Sequence, residues 1–342
     1  MQTNARISKT FVQVMIALMV ITSMIGQVSI ASAASSKPQY EYYVVGNSGD
    51  VTTSTSAGLL LMGGGTDVDA AFQWMINKSG GGDFVVIRAS GTDAYNPYIY
   101  DLGTVDSVET IITKNLAAAS DPFVIDKIRN AEALFIAGGD QNNYVTLWKG
   151  TPIEDAIHYL VTKNVPIGGT SAGLAVMGQF IFSAANGTVD SPTALSNPYG
   201  RRIALDRDFL VLPNMDGIIT DSHFVTRDRM GRLVTFLARI VNDGWAPTAK
   251  GIGIDEMTAL AVDARGNATV LGTGAAYFLL TPGMPEVCKD RTPLTYQNLT
   301  VYRVSGSATF NLTRWSGSGG TAYTLTAENG VLTSTQAGEG IY

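Results

Sequence analysis

Gly169-Thr170-Ser171-Ala172-Gly173 is a G-x-S-x-G segment that follows the short apolar run Val165-Pro166-Ile167-Gly168 and opens directly into a second one, Leu174 to Phe182. A buried strand that turns sharply through such a serine into a helix-like segment is the sequence form of a nucleophile elbow. Glycines on both sides let the backbone crowd where a Cβ would not fit. The turn would hold the Ser171 hydroxyl over a helix N-terminus, where free N–H groups and the positive dipole end favour developing negative charge. That chemistry is acyl transfer. The same five residues also read as a tight turn with an N-capping serine, so the neighbouring residues decide.

A serine nucleophile needs a base, and histidine alone titrates near neutrality without help. The chain has two. His158, within the helical pattern Ile153 to Val161, reads as a surface or half-buried residue with no role. His223 follows Ile218-Ile219-Thr220-Asp221-Ser222, a β-branched run ending in a charged cluster, which suggests the carboxyl end of a strand. Ligand sites in open α/β sheets gather at that edge, and His223 is the candidate base.

Two carboxylates compete to orient the imidazole and stabilise its cation. Glu256 follows the strand-like Gly251-Ile252-Gly253-Ile254-Asp255 and is preferred; Asp190 would instead give the order Ser, acid, His of an α/β-hydrolase. For an oxyanion hole, Leu134-Phe135-Ile136-Ala137-Gly138-Gly139-Asp140-Gln141 offers a second strand ending in a glycine turn. Gly139 there and Ala172 after the serine supply candidate amides, and Gln141 is placed to touch a substrate. Beyond His223, Arg227-Asp228-Arg229-Met230-Gly231-Arg232 leads into Leu233, Phe236, Leu237, Ile240 and Val241 at helical spacing. Arginines near a helix start oppose the macrodipole, so a carboxylate-rich substrate or the local acids Asp221 and Asp228 must offset them.

The elements that would position these residues alternate. Leu59 to Met62, Phe84 to Arg88, Ala133 to Ala137, Val165 to Gly168 and Gly251 to Asp255 read as strands. Asp67 to Asn77, Asp121 to Asn130, Pro152 to Asn164 and Arg229 to Val241 read as helices. Such alternation predicts an α/β fold with a mainly parallel sheet covered by helices on both faces. This domain is assigned to residues 58–291, with a lead-in over 34–57 and a small β appendage over 292–342, where Asn329-Gly330 marks a hairpin. No internal repeat is visible.

Arg6 and Lys9, the apolar stretch Phe11 to Ile30, and Ala31-Ser32-Ala33 read as a secretory signal peptide over residues 1–33. The expectation is a secreted or periplasmic protein without stable membrane association once that segment is removed. The formal charge of the full chain is −6; without the first 33 residues, 21 basic against 29 acidic side chains make it −8. Such a balance argues against nucleic acid as a partner. One cysteine, Cys288, and two histidines leave no disulfide framework and no zinc-type cluster, so neither metal nor cofactor is implied.

Gly138-Gly139-Asp140-Gln141, Gly169-Thr170-Ser171-Ala172-Gly173, Asp221-Ser222-His223-Phe224 with Arg227, Arg229 and Arg232-Leu233, and Gly253-Ile254-Asp255-Glu256-Met257-Thr258-Ala259 together resemble the cyanophycinases. These belong to the serine-peptidase family that also contains dipeptidase E. The likeness runs from about Leu59 to Leu280. It implies a fold similar to class I glutamine amidotransferases, with Ser171 as nucleophile, His223 as base and Glu256, in preference to Asp190, as acid. It also implies that Gln141, Asp221, Arg227, Arg229 and Arg232 lie where the family binds cyanophycin, a polyaspartate with arginine joined to each β-carboxyl group. The family releases β-Asp-Arg dipeptides by exo-cleavage, and its members are commonly homodimers.

Three features depart from the simplest family pattern: the signal peptide, the stretch Ala184 to Arg202 beside the serine, which looks inserted, and the β appendage. They leave open a related exopeptidase for acidic or isoaspartyl dipeptides, an esterase using Asp190, and an inert exported polymer-binding protein.

Overall fold

Short apolar runs too brief for helices build the centre of a ten-stranded sheet, whose parallel core has the order Ser107–Thr113, Asp83–Arg88, Ala133–Ile136, Ile167–Thr170, Gly58–Met62. Successive side chains point to opposite faces. Leu59, Leu61, Val85 and Ile87 therefore enter one core with Val124, Ile128, Tyr144 and Trp148 from helices Pro122–Arg129 and Gln141–Trp148. Leu60, Met62, Phe84 and Val86 enter another with Phe72, Met75 and Ile99 from helices Asp69–Ser79 and Tyr95–Leu102. Burial on both faces is why these strands read as unbroken apolar runs rather than alternating ones.

The computed structural model describes residues 39–342; the expected signal peptide lies outside the described residues. Contrary to the expectation of one mainly parallel sheet, the fold is mixed α/β with two sheets, and both carry antiparallel flanks. The second has eight strands in the order Val331–Ser334, Thr321–Glu328, Tyr296–Ser305, Ala275–Leu280, Lys250–Ile254, Ile218–Asp221, Phe180–Phe182, Leu205–Arg207. Only Lys250–Ile254, Ile218–Asp221 and Phe180–Phe182 run parallel to one another. One face of this sheet packs on helix Met230–Asn242 through Leu233, Phe236 and Leu237, while Ile218, Ile252, Ile254 and Phe278 join Leu59 and Leu260 in a core shared with the first sheet.

The chain passes repeatedly between the sheets. Residues 255–257 carry it from Lys250–Ile254 in the second to Thr258–Asp263 in the first, and residues 273–274 carry it back from Asn267–Gly272 to Ala275–Leu280. The segment after Thr292 is β-rich as expected but does not stand off. Tyr296–Ser305 and Thr321–Glu328 extend the second sheet, whereas Thr309–Asn311 and Ser316–Ser318 extend the first. Phe310 stacks on Phe278 at 3.8 Å between centroids, holding the segment to the common core. The supposed loose lead-in holds a strand, Tyr40–Gly46, paired antiparallel with Ser107–Thr113. The expected helix after Ser171 is a single turn, Ala172–Ala175, and the rest of its apolar run becomes strand Phe180–Phe182. Gly178 sets that change: a Cβ there would come 2.6 Å from the Ile218 carbonyl, so the backbones lie against each other.

At the amino edge of the first sheet, Glu132 is buried and accepts the Asp83 amide at 2.9 Å. Burial pushes its carboxyl up to about 7. A folded-state value above the unfolded one gives stability that is full below the ordinary carboxylate range and is lost as pH rises through about 7. Thermal unfolding should show Glu132→Gln more stable than the parent at pH 8, with the gap closing towards pH 4, roughly the unperturbed glutamate value. A constant gap across that range would contradict the assignment.

Candidate active site

Strand Ile167–Thr170 lies between Ala133–Ile136 and Gly58–Met62, and its ladder continues into Ser171, whose amide donates to the Met62 carbonyl at 3.1 Å. The chain then reverses at once. Ser171 has φ 53° and ψ −111°, and its carbonyl accepts the Ala175 amide at 3.0 Å as the first bond of the short helix. A non-glycine residue at such angles costs on the order of 1–3 kcal/mol and persists only where its surroundings over-determine it. The flanking glycines supply that constraint. A Cβ on Gly169 would meet the Gly173 carbonyl carbon at 2.7 Å, and one on Gly173 would meet the Ile136 oxygen at 2.0 Å.

His223 comes from the other sheet, two residues past strand Ile218–Asp221. Its φ of 48° turns the ring back towards the serine. Ser171 Oγ and His223 Nε2 are 2.8 Å apart, and His223 Nδ1 lies 2.5 Å from Glu256 Oε1. Glu256 sits in the crossing segment 255–257, so the three groups come from the first sheet, the second sheet and the link between them. Asp255 and Glu256 divide the labour. Asp255 is turned inward, accepting the Val225 and Ala275 amides at 3.2 and 3.0 Å, while Glu256 faces the imidazole.

Residues that the sequence reading missed hold this seam. Gly63-Gly64-Gly65 follows strand Gly58–Met62, and the Gly63 carbonyl accepts the His223 amide at 2.7 Å. The Gly63 amide donates to the Thr258 carbonyl at 2.9 Å, and the Gly64 carbonyl accepts the Met257 amide at 2.9 Å. A Cβ on Gly64, at φ +90°, would be 2.5 Å from His223 Cε1. Three glycines closing an apolar strand were the available signal. Tyr342 is the other omission: its hydroxyl donates to Asp228 at 2.7 Å and accepts the Met230 amide at 3.0 Å, and its ring meets Phe224 edge-on beside His223.

A cleft of about 480 Å³ opens over Ser171 and His223 and is lined by Gly139, Gln141, Ala172, Asp221, Arg227, Arg229 and Arg232. The expected substrate-contact residues therefore converge, but they are not equally available. Arg232 is 3% exposed, and its Nε and Nη2 form a fork on both oxygens of Asp221 at 2.7 and 2.5 Å. Its Nη1 reaches Thr188 Oγ1 and the Val189 carbonyl, so all but one of its five N–H donors are taken. Arg229 donates to the Ser222 carbonyl at 2.8 Å, and burial brings its guanidinium down to about 10. Arg227, 54% exposed and 3.9 Å from Glu256, is the most available of the three. Gln141 Nε2 donates to the Phe182 carbonyl at 3.3 Å. Gly139 is backed by Tyr144, whose hydroxyl donates to the Ala137 carbonyl at 2.8 Å.

Asp190 lines the cleft but serves as helix cap, accepting the Thr193 amide at 2.7 Å at the start of Ser191–Ser196. Glu256, not Asp190, is on the imidazole. The supposed insertion Ala184 to Arg202 forms one wall, contributing Thr188, Val189, Asp190 and Arg202. His158 is half-buried and accepts the Val211 amide at 3.0 Å, a structural bond away from this cleft.

With this geometry in place, comparison with known proteins decides kinship. The family model described as peptidase family S51 matches residues 59–269. The chain belongs to that family. A cyanophycinase of Synechococcus elongatus is 26% identical over 223 residues, 64% of this chain and 64% of that protein. A cyanophycinase of Trichormus variabilis is 28% identical over 220 residues, 63% of this chain and 68% of that protein. Among solved structures, a peptidase from an acI-B1 actinobacterium is 16% identical with a TM-score of 0.48, covering 66% of this chain and 91% of that one. The aligned S51 segment runs from the strand carrying the glycine loop through Glu256.

Burial holds the His223 imidazole below its ordinary value; the hydrogen bond to Glu256 opposes this, and Arg227 and Arg229 add to the lowering. The imidazole is thus neutral at neutral pH. The rate of Ser171 labelling by a serine-directed phosphonate should fall on the acid side with a midpoint below ~6.5, the ordinary imidazole value. Arg227→Ala removes a neighbouring cation and should move that midpoint up. A profile flat down to about pH 4, well below that value, would rule out an imidazole base. Gly64→Ala should slow labelling about 100-fold or more, since displacements near 1 Å cost that much, with circular dichroism unchanged. Labelling within twofold of the parent would show that the glycine loop does not position His223.

Proposed function

We propose that this S51 protein is an exported cyanophycinase-like serine exopeptidase that hydrolyses the aspartate backbone of cyanophycin to β-Asp-Arg dipeptides through an acyl-enzyme on Ser171. The carrying observation is the line from Ser171 Oγ through both His223 nitrogens to Glu256. In this reading His223 takes the serine proton as Oγ attacks a backbone carbonyl, and Glu256 holds the tautomer and stabilises the imidazolium. The amides of Gly139 and Ala172 hold the tetrahedral oxyanion. His223 then returns the proton to the leaving amine, and water hydrolyses the acyl-enzyme by the same steps.

Substrate class follows from the cleft. Its volume falls within the ~300–1,000 Å³ range of small-ligand sites, and its wall sets Arg202, Arg227 and Arg229 beside Asp140 and Asp190. Such mixed charge suits a polymer that carries both carboxylates and guanidinium groups, and the relatives named as cyanophycinases support that choice. The serine turn at the carboxyl edge of a parallel core supports a likeness to class I glutamine amidotransferases and the name nucleophile elbow. Arg6, Lys9, the apolar stretch and Ala31-Ser32-Ala33 support export.

Incubation of the purified protein with insoluble cyanophycin, followed by mass analysis of soluble products, tests the reading. The parent should release β-Asp-Arg, and Ser171→Ala none. Glu256→Gln should lose on the order of 10³–10⁴ in kcat, as triads do when the tautomer is wrong. Asp190→Asn should stay within about threefold, because asparagine caps a helix as well as aspartate does. Hydrolysis of acidic or isoaspartyl dipeptides without cyanophycin release would move the specificity, and failure of a phosphonate to label Ser171 would make the protein a binder.

A further inference from the structure

A second cleft of about 310 Å³ begins where the glycine loop ends, lined by Thr66, Asp67, Asp69, Arg88, Tyr95 and Tyr98. Arg88 closes strand Asp83–Arg88, and both tyrosines stand on the helix that follows, Tyr95–Leu102. The cleft therefore lies along the same carboxyl edge of the first sheet as Ser171. It is also close to the acid of the triad. A Cβ on Gly65 would touch Glu256 Cβ at 3.0 Å, and Asp67, two residues on, is at most roughly 8 Å further along the chain.

The chemistry of its walls is specific. Tyr95 Oη donates to Asp67 Oδ1 at 3.3 Å and Tyr98 Oη to Asp69 Oδ1 at 2.6 Å, and among the described residues the second oxygen of each carboxylate makes no hydrogen bond. Asp67 is half-buried and Asp69 exposed, and the partial burial of Asp67 pushes its carboxyl up. A carboxylate so placed gains from a cation that restores its lost partners. The two phenol rings, 6.5 Å apart and tilted by 50°, both line the cleft, within reach of cation–π contact with a guanidinium held there. Opposite charge is present as well. Arg88 is fixed by its Nε on the Ser90 carbonyl at 2.6 Å and its Nη1 on the Thr92 carbonyl at 3.0 Å, and its Nη2 makes no hydrogen bond among the described residues.

The geometry points to a second substrate subsite that takes an arginine unit, with its guanidinium on Asp67 and Asp69 between the tyrosines and its carboxylate on Arg88. An arginine acylated at its α-nitrogen keeps both groups free, so one unit satisfies both walls. The inference rests on the cyanophycin reading of the catalytic cleft for its link to the polymer: the subsite holds a repeat unit other than the one being cleaved, and its contribution falls on binding rather than on the bond-breaking step.

Calorimetry on the Ser171→Ala protein tests the cleft apart from activity. L-Arginine should bind; agmatine, which lacks the carboxylate, should bind about tenfold more weakly, and citrulline, which lacks the charge, should not bind measurably. Asp67→Asn with Asp69→Asn should weaken L-arginine at least tenfold. Equal binding of all three ligands, or L-arginine binding unchanged by the double substitution, would overturn the subsite. In the active protein the same double substitution should raise KM for cyanophycin about tenfold with kcat unchanged, and an unchanged KM would detach the cleft from the polymer. If the parent releases nothing from cyanophycin, the functional reading fails, while the calorimetric series still decides whether the cleft takes arginine.

Discussion

Backbone contact at Gly63 and Gly64 is the constraint on which the site depends. Two sheets meet there, and the meeting works because neither residue has a side chain: a Cβ on Gly63 would come 1.8 Å from the Asp255 carbonyl oxygen, and one on Gly64 would enter the His223 ring. The loop's amides and carbonyls reach the histidine segment, Met257 and Thr258 at once. Unpaired backbone groups at a buried seam would be costly, so these bonds hold the sheets in one register. The strained angles at Ser171 and His223 are tolerable because the frame around them cannot relax.

Below the cleft, a buried ion pair does for its wall what the glycines do for Ser171, His223 and Glu256. Asp221 and Arg232 have side chains 4% and 3% exposed. Taking both charges out of water is expensive, and the forked geometry with further bonds to Thr188 and Val189 is what offsets it. The pair ties strand Ile218–Asp221, helix Met230–Asn242 and the wall segment Ala184 to Arg202 together. Arginines that sequence alone would send to the substrate are thereby divided: one builds the wall, one braces the histidine segment, and one remains open to solvent.

Much of this was legible in the residues. The strands around Leu59, Phe84, Ala133 and Ile252 were clear because parallel strands covered on both faces leave continuous apolar runs, and the serine turn was clear because its glycines have no other use. What stayed hidden was pairing. An apolar run does not say which run lies beside it, so the second sheet and the return of Thr309–Asn311 to the first were invisible, although their β character was not. Tyr40–Gly46 was misread because Ser and Thr surround a strand whose partner lies more than sixty residues on. The helix after Ser171 was overdrawn because Leu174 to Phe182 suits either period, and only the approach of Gly178 to the next sheet ends it. For the acid, the strand end pointed to Glu256, which was preferred, while the Ser, acid, His order pointed to Asp190; the third dimension separates them, one capping a helix and the other on the imidazole.

The crossing segment 255–257 has a consequence for when the protein acquires its chemistry. Ser171 and His223 belong to different sheets, and the strand that pairs with Gly58–Met62 to close the seam, Thr258–Asp263, comes nearly two hundred residues after its partner. Contacts of such separation form late, because the loop between them must be closed first. A growing chain therefore presents Ser171 long before His223 and Glu256 are held beside it. The three side chains meet only once the two sheets have closed on each other, so the site is among the last parts of the fold to take shape.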